Sequence, residues 1–426
     1  MKTVVVMTIV LMGAGAHAAG DWEALGRQVT NELATRAFDK VAARFDARMK
    51  AGLPVEKLGA VWDQVLSQAG PFQAVKRAAV SVQGELHMVL VTCAFQKTAL
   101  DVKLAFDATD KVAGLFFLPS AAGEGKWEPP SYGRGTFEEL PLGTFGGKLT
   151  LPPGAGPFPA VVLVHGSGSH DEDETIGPNK PFRDLALGLA AHGIATLRYP
   201  KRTQREPGAF TVEKRFTVKE EALDDARAAV ALLAKQPKID PKRIWVVGHS
   251  LGGFLAPRIA DGNPQVAGIV MLAGSTRPLE ELVLEQMKFL FPKDPSKWAA
   301  AEASAKAIRD PKLTDGMTVD LLGAKLPGSY FLDLRRYSPT GVAAKLTIPV
   351  LVLQGERDYQ VRRADYDGWA GALKGRPRAK LKLYPALNHL FEAGTGAPNP
   401  DEYGRPGVHV SEEVVKDIAA FIVPPA

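Results

Sequence analysis

The sequence predicts an α/β fold, a mostly parallel sheet covered by helices, preceded by a small α+β domain. From about residue 137 onward, short apolar runs alternate with segments of helical periodicity, which is the pattern of repeated β-α units. Before that point, helical spacing gives way to successive strand-like runs. The chain has 426 residues, which is too long for one ordinary hydrophobic core, so we expect two folded units.

The first residues have the pattern of a secretory signal. Lys2 precedes the apolar run from Val4 to Met12, and Ala16-His17-Ala18 follows as a small-residue cleavage site. The run is too short to span a membrane stably, although a membrane anchor or a buried N-terminal helix would give a similar pattern. We therefore expect residues 1–18 to be a signal peptide. The mature protein would then be secreted or periplasmic, without stable membrane insertion.

The composition narrows the class of protein. Hydrophobic residues make up 46% and charged residues 23%, which is typical of a globular chain. The net charge of +5 is small, and no basic run is interleaved with aromatic residues, so no nucleic-acid partner is expected. Cys93 is the only cysteine, so no intramolecular disulfide can form. It lies in a strand-like stretch, where a buried, inert thiol is the default.

Residues 19–120 are expected to form the small α+β domain. Apolar side chains at helical spacing predict helices over 22–33, 38–49 and from Pro54 onward. Four runs then predict antiparallel strands, over 72–83, 85–95, 100–106 and 112–118. A segment rich in Gly, Pro and Ser, residues 121–136, is the predicted linker.

Residues 137–426 are expected to form the second, catalytic domain. Its predicted strands cover 137–142, 148–151, 160–164, 194–199, 244–247, 266–272, 349–354 and 380–384. Its predicted helices cover 182–192, 218–235, a stretch from about 251, and a terminal helix that Ser411 caps and that runs to 422. The alternation stops at about 274–347, where we expect a helical cap, unless these helices merely extend the core.

The string Gly248-His249-Ser250-Leu251-Gly252 carries the most chemical information. It follows the apolar run Ile244 to Val247 and precedes a predicted helix. This order predicts the nucleophile elbow of the α/β-hydrolase fold, in which a strained turn exposes the serine hydroxyl at the carboxyl edge of the sheet. The glycines are required because side chains there would collide with the neighbouring strand and helix. Ser250 is therefore the candidate nucleophile.

A serine nucleophile needs a base and an acid that orients the base. Two histidines follow Ser250 in the sequence, His389 and His409. His389 lies just past the last predicted strand, at the carboxyl edge of the sheet where Ser250 is expected. Asp358 follows the strand 349–353 at the same edge, with Glu356 as the alternative acid. The order Ser, Asp, His is the order of the α/β-hydrolase fold.

An oxyanion hole needs two backbone N–H groups. The elbow places one at Leu251, and the loop after Val164 supplies the other, at Ser167 or, failing that, at Gly168. In the same loop, His165 is expected to brace the backbone rather than transfer protons.

Two charged stretches have competing interpretations. The run from His170 to Glu174 is either a metal site or, as such runs usually are, a solvated loop. Lys201 and Arg202 follow a strand at its carboxyl end and either line the mouth of the site or form a surface pair. We expect no metal and no cofactor.

With these residues in place, the chain resembles α/β-hydrolase esterases that carry an N-terminal domain of unknown function, the bacterial EstD-like esterases. By this resemblance, Ser250, Asp358 and His389 form the catalytic triad. One departure is Pro200, where the resemblance implies an aspartate. The strings that carry the resemblance are 165–168, 175–182, 198–199, 201–203, 248–253, 354–361, 383–384 and 388–391.

These patterns predict a serine carboxylic ester hydrolase that forms an acyl-enzyme on small-molecule esters with short to medium acyl groups. The alternative is an aminopeptidase-type serine peptidase, for which Glu280-Glu281 would be the only carboxylate pair in the cap able to hold a free amine. A catalytically silent binding module is the third possibility. Aromatic residues of the cap either form an acyl wall or pack the cap, namely Phe289, Phe291, Tyr330 and Phe331.

Overall fold

The computed structural model describes residues 21–83, 86–96, 98–120, 127–143 and 146–424. The predicted signal peptide, residues 1–18, lies outside the described residues, as does segment 121–126 of the predicted linker. The chain forms two compact units, which divide between Lys126 and Trp127, with residues 404–406 grouped with the first.

The first unit consists of helices followed by an antiparallel sheet of strand order β1-β2-β3-β4. Its elements are α1 (Trp22–Ala34), α2 (Phe38–Ala43), α3 (Ala47–Gly52), α4 (Val55–Ala69), β1 (Phe72–Gln83), β2 (Leu86–Phe95), β3 (Ala99–Phe106) and β4 (Val112–Pro119). The helix expected over residues 38–49 is broken in two, because Asp46 accepts the Met49 N–H at 2.6 Å and begins a new helix. Trp62 and Cys93 are fully buried in the core of this unit.

The second unit is built on an eight-stranded sheet of order β14-β13-β10-β9-β7-β8-β6-β5. β6 runs in the opposite direction to the other seven strands, so its pairings with β5 and β8 are antiparallel. The strands of the unit are β5 (Glu138–Leu142), β6 (Gly147–Leu151), β7 (Phe158–Val164), β8 (Ala195–Arg198), β9 (Ile239–His249), β10 (Val266–Leu272), β11 (Thr318–Leu321), β12 (Ala324–Pro327), β13 (Val350–Gly355) and β14 (Ala379–Tyr384). The predicted α/β-hydrolase fold class is confirmed.

Helices cover both faces of this sheet. The helices of the unit, including those of the insert between β10 and β13, are α5 (Pro181–Ala191), α6 (Arg202–Arg205), α7 (Asp224–Leu233), α8 (Leu251–Ala260), α9 (Leu279–Leu290), α10 (Ser296–Arg309), α11 (Gly328–Arg335), α12 (Pro339–Ala343), α13 (Arg363–Ala372) and α14 (Glu412–Ile422). Alternation along β7 sends Val162 and Val164 into one core cluster and Val161 and Leu163 into the other. No helix among the described residues is long and apolar enough to cross a membrane.

Several elements of the second unit differ from the sequence expectation, among them β9, which begins at Ile239, and α13, which was not predicted. The insert between β10 and β13 contains the hairpin β11-β12 in addition to helices. The long helix expected over 218–235 begins with a π-helical turn, Lys219–Leu223, before α7. Ser411 precedes α14 without a capping hydrogen bond from its side chain. None of these changes moves the carboxyl edge of the sheet, where the predicted site residues lie.

Candidate active site

Ser250 occupies a strained turn between β9 and α8. Its backbone has φ 52° and ψ −114°, a region that non-glycine residues rarely adopt. The turn is held by close backbone approaches, because a Cβ atom at Gly248 would lie 2.1 Å from the Gly252 carbonyl oxygen. A Cβ atom at Gly252 would lie 2.1 Å from the Val164 carbonyl oxygen. The sequence therefore forms the elbow only with glycine at these two positions.

His389 and Asp358 come together at the edge of the sheet. His389 Nδ1 lies 2.6 Å from Asp358 Oδ2, and both side chains are buried. The carboxylate is fixed by three further bonds, from the Gln354 amide at 3.0 Å and from the N–H groups of Gln360 and Val361 at 2.7 and 2.9 Å. Because Nδ1 faces a carboxylate, Nε2 is the nitrogen of His389 that can accept a proton.

The alternative acid and base are engaged elsewhere. Glu356 is exposed and pairs with Arg363 at 3.2 Å. His409 Nδ1 lies 3.1 Å from Asp184 Oδ1, at the start of α5. Neither forms a bond with His389 or Asp358 among the described residues.

The elbow and the His389 loop are linked through His249. His249 Nε2 lies 3.0 Å from the His389 carbonyl oxygen, and the two rings are 4.7 Å apart. No hydrogen bond joins the Ser250 hydroxyl to His389 in the part of the chain that the structure describes. Catalytic hydrogen bonds are often long in unliganded enzymes and tighten in the substrate complex.

The loop after β7 lies directly against the elbow. A Cβ atom at Gly166 would lie 3.2 Å from Ser250 Cβ. The next residue, Ser167, is exposed, and no hydrogen bond among the described residues uses its N–H. The N–H of Leu251 is in the first turn of α8 and has no acceptor within that helix. Of the two backbone N–H groups predicted for an oxyanion hole, one therefore belongs to the residue after Ser250. The other belongs to the loop that packs against Ser250.

His165 braces the same loop. Its Nε2 lies 3.0 Å from the Asp171 carbonyl oxygen. Burial lowers the pKa of the imidazole to about 4, so the ring is neutral at pH 7 and its Nε2–H donates to that carbonyl. This contact agrees with the bracing role expected from the sequence.

The solvated-loop interpretation of residues 170–174 is wrong for its last two members. Asp173 and Glu174 are 4% and 1% exposed. Asp173 pairs with Lys180 at 3.1 Å and also with Arg198. Within the described ranges, no group of three or more His, Cys, Asp or Glu side chains is arranged to hold a metal ion.

Lys201 also differs from both expectations, whereas Arg202 is half-buried. Lys201 is 2% exposed, so it belongs neither to a surface pair nor to an open mouth. Its Nζ donates to Glu221 Oε1 at 2.6 Å and to the Gly166 carbonyl oxygen at 2.7 Å. Arg202 pairs with the buried carboxylate of Asp225.

Glu174 and His249 form a buried ion pair beneath the site. Glu174 Oε1 accepts the Gly166 N–H at 2.6 Å, and Oε2 lies 2.9 Å from His249 Nδ1. Burial disfavours a charge on His249, but the facing carboxylate outweighs burial and raises its pKa above the ordinary value. Burial also acts against the charge on Glu174, yet the imidazole lowers the pKa of this carboxyl overall. His249 Nε2 lies 3.0 Å from the His389 carbonyl oxygen, whereas the close approach of Nδ1 to Glu174 Oε2 lacks the geometry of a hydrogen bond, so charge attraction accounts for that contact.

The aromatic residues of the insert divide into two groups. Tyr330 and Phe331 are 5% and 1% exposed and pack in the core with Phe216. Phe289 instead stacks on Tyr359, with ring centroids 4.9 Å apart, one residue beyond Asp358. Tyr330 and Phe331 therefore pack the core and do not form an acyl wall. Phe289 remains a candidate for such a wall.

Residues 161–402 match the alpha/beta hydrolase family. The chain belongs to this family. Residues 27–115 match a second family, described as a protein of unknown function, DUF3887. The resemblance to hydrolases with an added N-terminal domain is thereby confirmed.

Relatives extend this finding over the whole chain. Esterase EstD of Thermotoga maritima is 37% identical over 430 residues, which span 99% of this chain and 100% of the relative. A putative carboxymethylenebutenolidase of Azospirillum brasilense is 23% identical over 60% of this chain and 85% of its own length. Among solved structures, Est1E from Butyrivibrio proteoclasticus is similar, with 18% identity, a TM-score of 0.44, and coverage of 67% of this chain and 99% of that chain.

Sequence reasoning missed the buried charges around Gly166. Glu174 and His249 are 75 residues apart in the chain, by subtraction of their positions, and no local pattern predicts that they meet. The one available signal was His249 itself, a titratable residue inside an elbow that must be tightly packed. Such a side chain needs a partner when it is buried.

Replacing Glu174 by glutamine should destabilise this hydrolase more at pH 6 than at pH 9. The His249 pKa is raised in the native state, so the pair stabilises fully below the unfolded pKa of about 6.5 and less as pH rises through the native pKa. Removing one member of a buried pair costs about 3–5 kcal/mol. We expect that loss at pH 6 and a smaller loss at pH 9, measured by urea unfolding.

Glu402→Gln is the matched control. Glu402 is also a buried carboxylate, but it pairs with Arg357, whose guanidinium does not titrate in this range. Its loss should be equal at the two pH values. A Glu174→Gln loss that is equally independent of pH would show that His249 is neutral.

Proposed function

We propose that this protein hydrolyses carboxylic esters of small molecules through an acyl-serine intermediate on Ser250. The observation that carries the proposal is the 2.6 Å contact between His389 and Asp358, on a loop bonded to the residue next to Ser250. It supplies an oriented base on a loop bonded to the neighbour of a half-buried, strained serine. The protein is thus a carboxylesterase-type serine hydrolase, in keeping with its full-length similarity to an esterase.

The reaction follows from these roles. The Ser250 oxygen attacks the ester carbonyl carbon while its proton passes to His389 Nε2. The tetrahedral intermediate collapses, the alkoxide leaves, and the imidazolium returns the proton to it. Water then attacks the carbonyl carbon of the acyl-serine and gives a proton to His389 Nε2. The second tetrahedral intermediate collapses by breaking its bond to the Ser250 oxygen, the carboxylic acid leaves, and the imidazolium returns the proton to that oxygen. Asp358 keeps His389 in the required tautomer and stabilises the imidazolium.

Negative charge develops on the carbonyl oxygen in both tetrahedral intermediates. The N–H groups of Leu251 and Ser167 are the proposed donors to that oxygen. Backbone donors fixed in place before the reaction need no reorganisation as the charge forms, which is why loss of one such donor costs about 10²- to 10³-fold in kcat.

An aminopeptidase would need free carboxylates for the substrate amine. Glu280 and Glu281 are both engaged by Arg309, at 3.4 and 3.0 Å. This arrangement favours the esterase. Hydrolysis of p-nitrophenyl acetate compared with an aminoacyl anilide separates the two activities.

We propose further that residues 1–18 direct export to the periplasm or the medium, on the basis of the Lys2, apolar and Ala-His-Ala pattern alone. Expression of the full chain in a bacterium, followed by fractionation and N-terminal sequencing, should give a mature protein that begins at Ala19. An uncleaved cytoplasmic protein would contradict this proposal.

Ser250→Ala should lower kcat for p-nitrophenyl acetate by about 10³- to 10⁶-fold without changing the thermal midpoint. His389→Ala should be comparably severe because both members act as one unit. A fluorophosphonate should label Ser250 alone, as shown by peptide mass spectrometry.

Two controls test the assignment of the base and the acid. His409→Ala should reduce kcat far less than His389→Ala, because His409 is bonded to Asp184. Asp358→Asn should be severe and Glu356→Gln mild, because Glu356 is paired with Arg363. The reverse ranking in either pair would move the role to the other residue.

Phe289→Ala should shift the preferred acyl length upward. Phe289 stacks on Tyr359 beside the triad acid, where it can close an acyl pocket. Each methylene accommodated is worth about 0.8 kcal/mol, so kcat/KM should rise with chain length until the pocket ends. The measurement is kcat/KM across p-nitrophenyl esters from acetate to decanoate.

Phe331→Ala provides the matched control. Phe331 is fully packed in the core, so its loss should cost about 3–5 kcal/mol of stability and leave the preferred length unchanged. An unchanged profile in Phe289→Ala would limit Phe289 to docking the cap.

A further inference from the structure

Gly166 is held from both sides by buried charged side chains. Its N–H donates to Glu174 Oε1 at 2.6 Å, and its carbonyl oxygen accepts from Lys201 Nζ at 2.7 Å. Lys201 carries the only charge on that carbonyl among the described residues, and its backbone N–H also donates to the His170 carbonyl at 2.9 Å. One residue therefore contacts the loop at both its beginning and its end.

The Gly166 carbonyl belongs to the same peptide unit as the Ser167 N–H. In a planar trans peptide these two groups point in opposite directions. An ammonium fixed on the carbonyl oxygen therefore fixes the direction of the N–H. It also polarises the amide, which makes the N–H a stronger donor in a site of low dielectric.

We propose that Lys201 is a positioning residue for the oxyanion hole, holding and polarising the peptide whose N–H, at Ser167, binds the developing oxyanion. This inference rests on the proposed ester hydrolysis for its catalytic meaning. Lys201 does not touch the substrate, because its Nζ is buried between Gly166 and Glu221. Its effect is expected in the tetrahedral intermediate, where the charge on the oxygen is largest, and not in substrate binding.

A purely structural role of Lys201 would consist only of its ion pair with Glu221. The test therefore separates stabilisation by this ion pair from positioning of the Ser167 N–H. The variants are Lys201→Met, Glu221→Gln and the double variant. Each single variant leaves one buried charge unpaired and should lower the thermal midpoint, whereas the double variant leaves neither and should recover it. The kcat should fall about 10- to 100-fold in Lys201→Met and in the double variant, with KM within about threefold, and much less in Glu221→Gln.

Two further readouts report on the oxyanion hole directly. A trifluoromethyl ketone forms a tetrahedral adduct with the serine. Its inhibition constant should therefore rise in Lys201→Met by a factor similar to the fall in kcat. The rate at which a fluorophosphonate labels Ser250 should fall by a similar factor, because the phosphoryl oxygen occupies the same hole. A kcat within about threefold of wild type in Lys201→Met, or recovery of kcat in the double variant, would overturn the proposal.

The labelling rate keeps the two proposals distinct. If the wild type labels at Ser250 but hydrolyses no ester, the ester function fails, and a slower labelling of Lys201→Met still supports the role of Lys201. An unchanged labelling rate in Lys201→Met overturns the proposed role of Lys201. If Ser250 is not labelled in the wild type, both proposals are wrong.

Discussion

The site depends on how closely helix α8 approaches the ends of β7 and β9. Space for that approach exists only because Gly248 and Gly252 have no side chains, since a Cβ atom on either would lie 2.1 Å from a carbonyl oxygen. The approach forces Ser250 into its strained turn and brings Gly166 against it. The candidate nucleophile and the loop proposed for the oxyanion hole are thus positioned by one packing contact between backbones.

Because the backbone is packed this tightly, the N–H and carbonyl groups of Gly166 are buried away from water. Charged side chains form hydrogen bonds with these groups of Gly166 instead. Glu174 accepts its N–H and Lys201 donates to its carbonyl oxygen. Burying a charge is costly unless it is paired, so each of these brings a partner, His249 for Glu174 and Glu221 for Lys201. The partners in turn contact other parts of the site, as His249 does at the His389 carbonyl. The bonds made by one glycine therefore link the loop of the proposed oxyanion hole to the backbone of His389.

Local patterns in the sequence were enough for the fold and for the residues at the carboxyl edge. Ser250 lies in a string whose glycines are required by local packing, and Asp358 and His389 each follow a stretch that becomes a strand, β13 and β14. Glu174 and Lys201 could not be placed in this way, because their burial depends on partners far along the chain. Alternation could not separate Phe331 from Phe289 either, since both are aromatic residues in an insert. Only the packing shows that Phe331 lies in the core and that Phe289 stacks on Tyr359.

Pro200 illustrates how a departure from the expected sequence can leave this arrangement intact. Proline has no N–H and fixes its own φ, and it restricts the residue before it to extended backbone. Tyr199 follows β8 in the chain, so extended backbone suits it, and the lost donor is not needed because the next N–H, of Lys201, makes the bond to His170. Position 200, where the resemblance implies an aspartate, is therefore one at which the structure needs no side-chain bond. The adjacent position, Lys201, carries the side-chain contact with Gly166, and this contact does not depend on the residue at position 200.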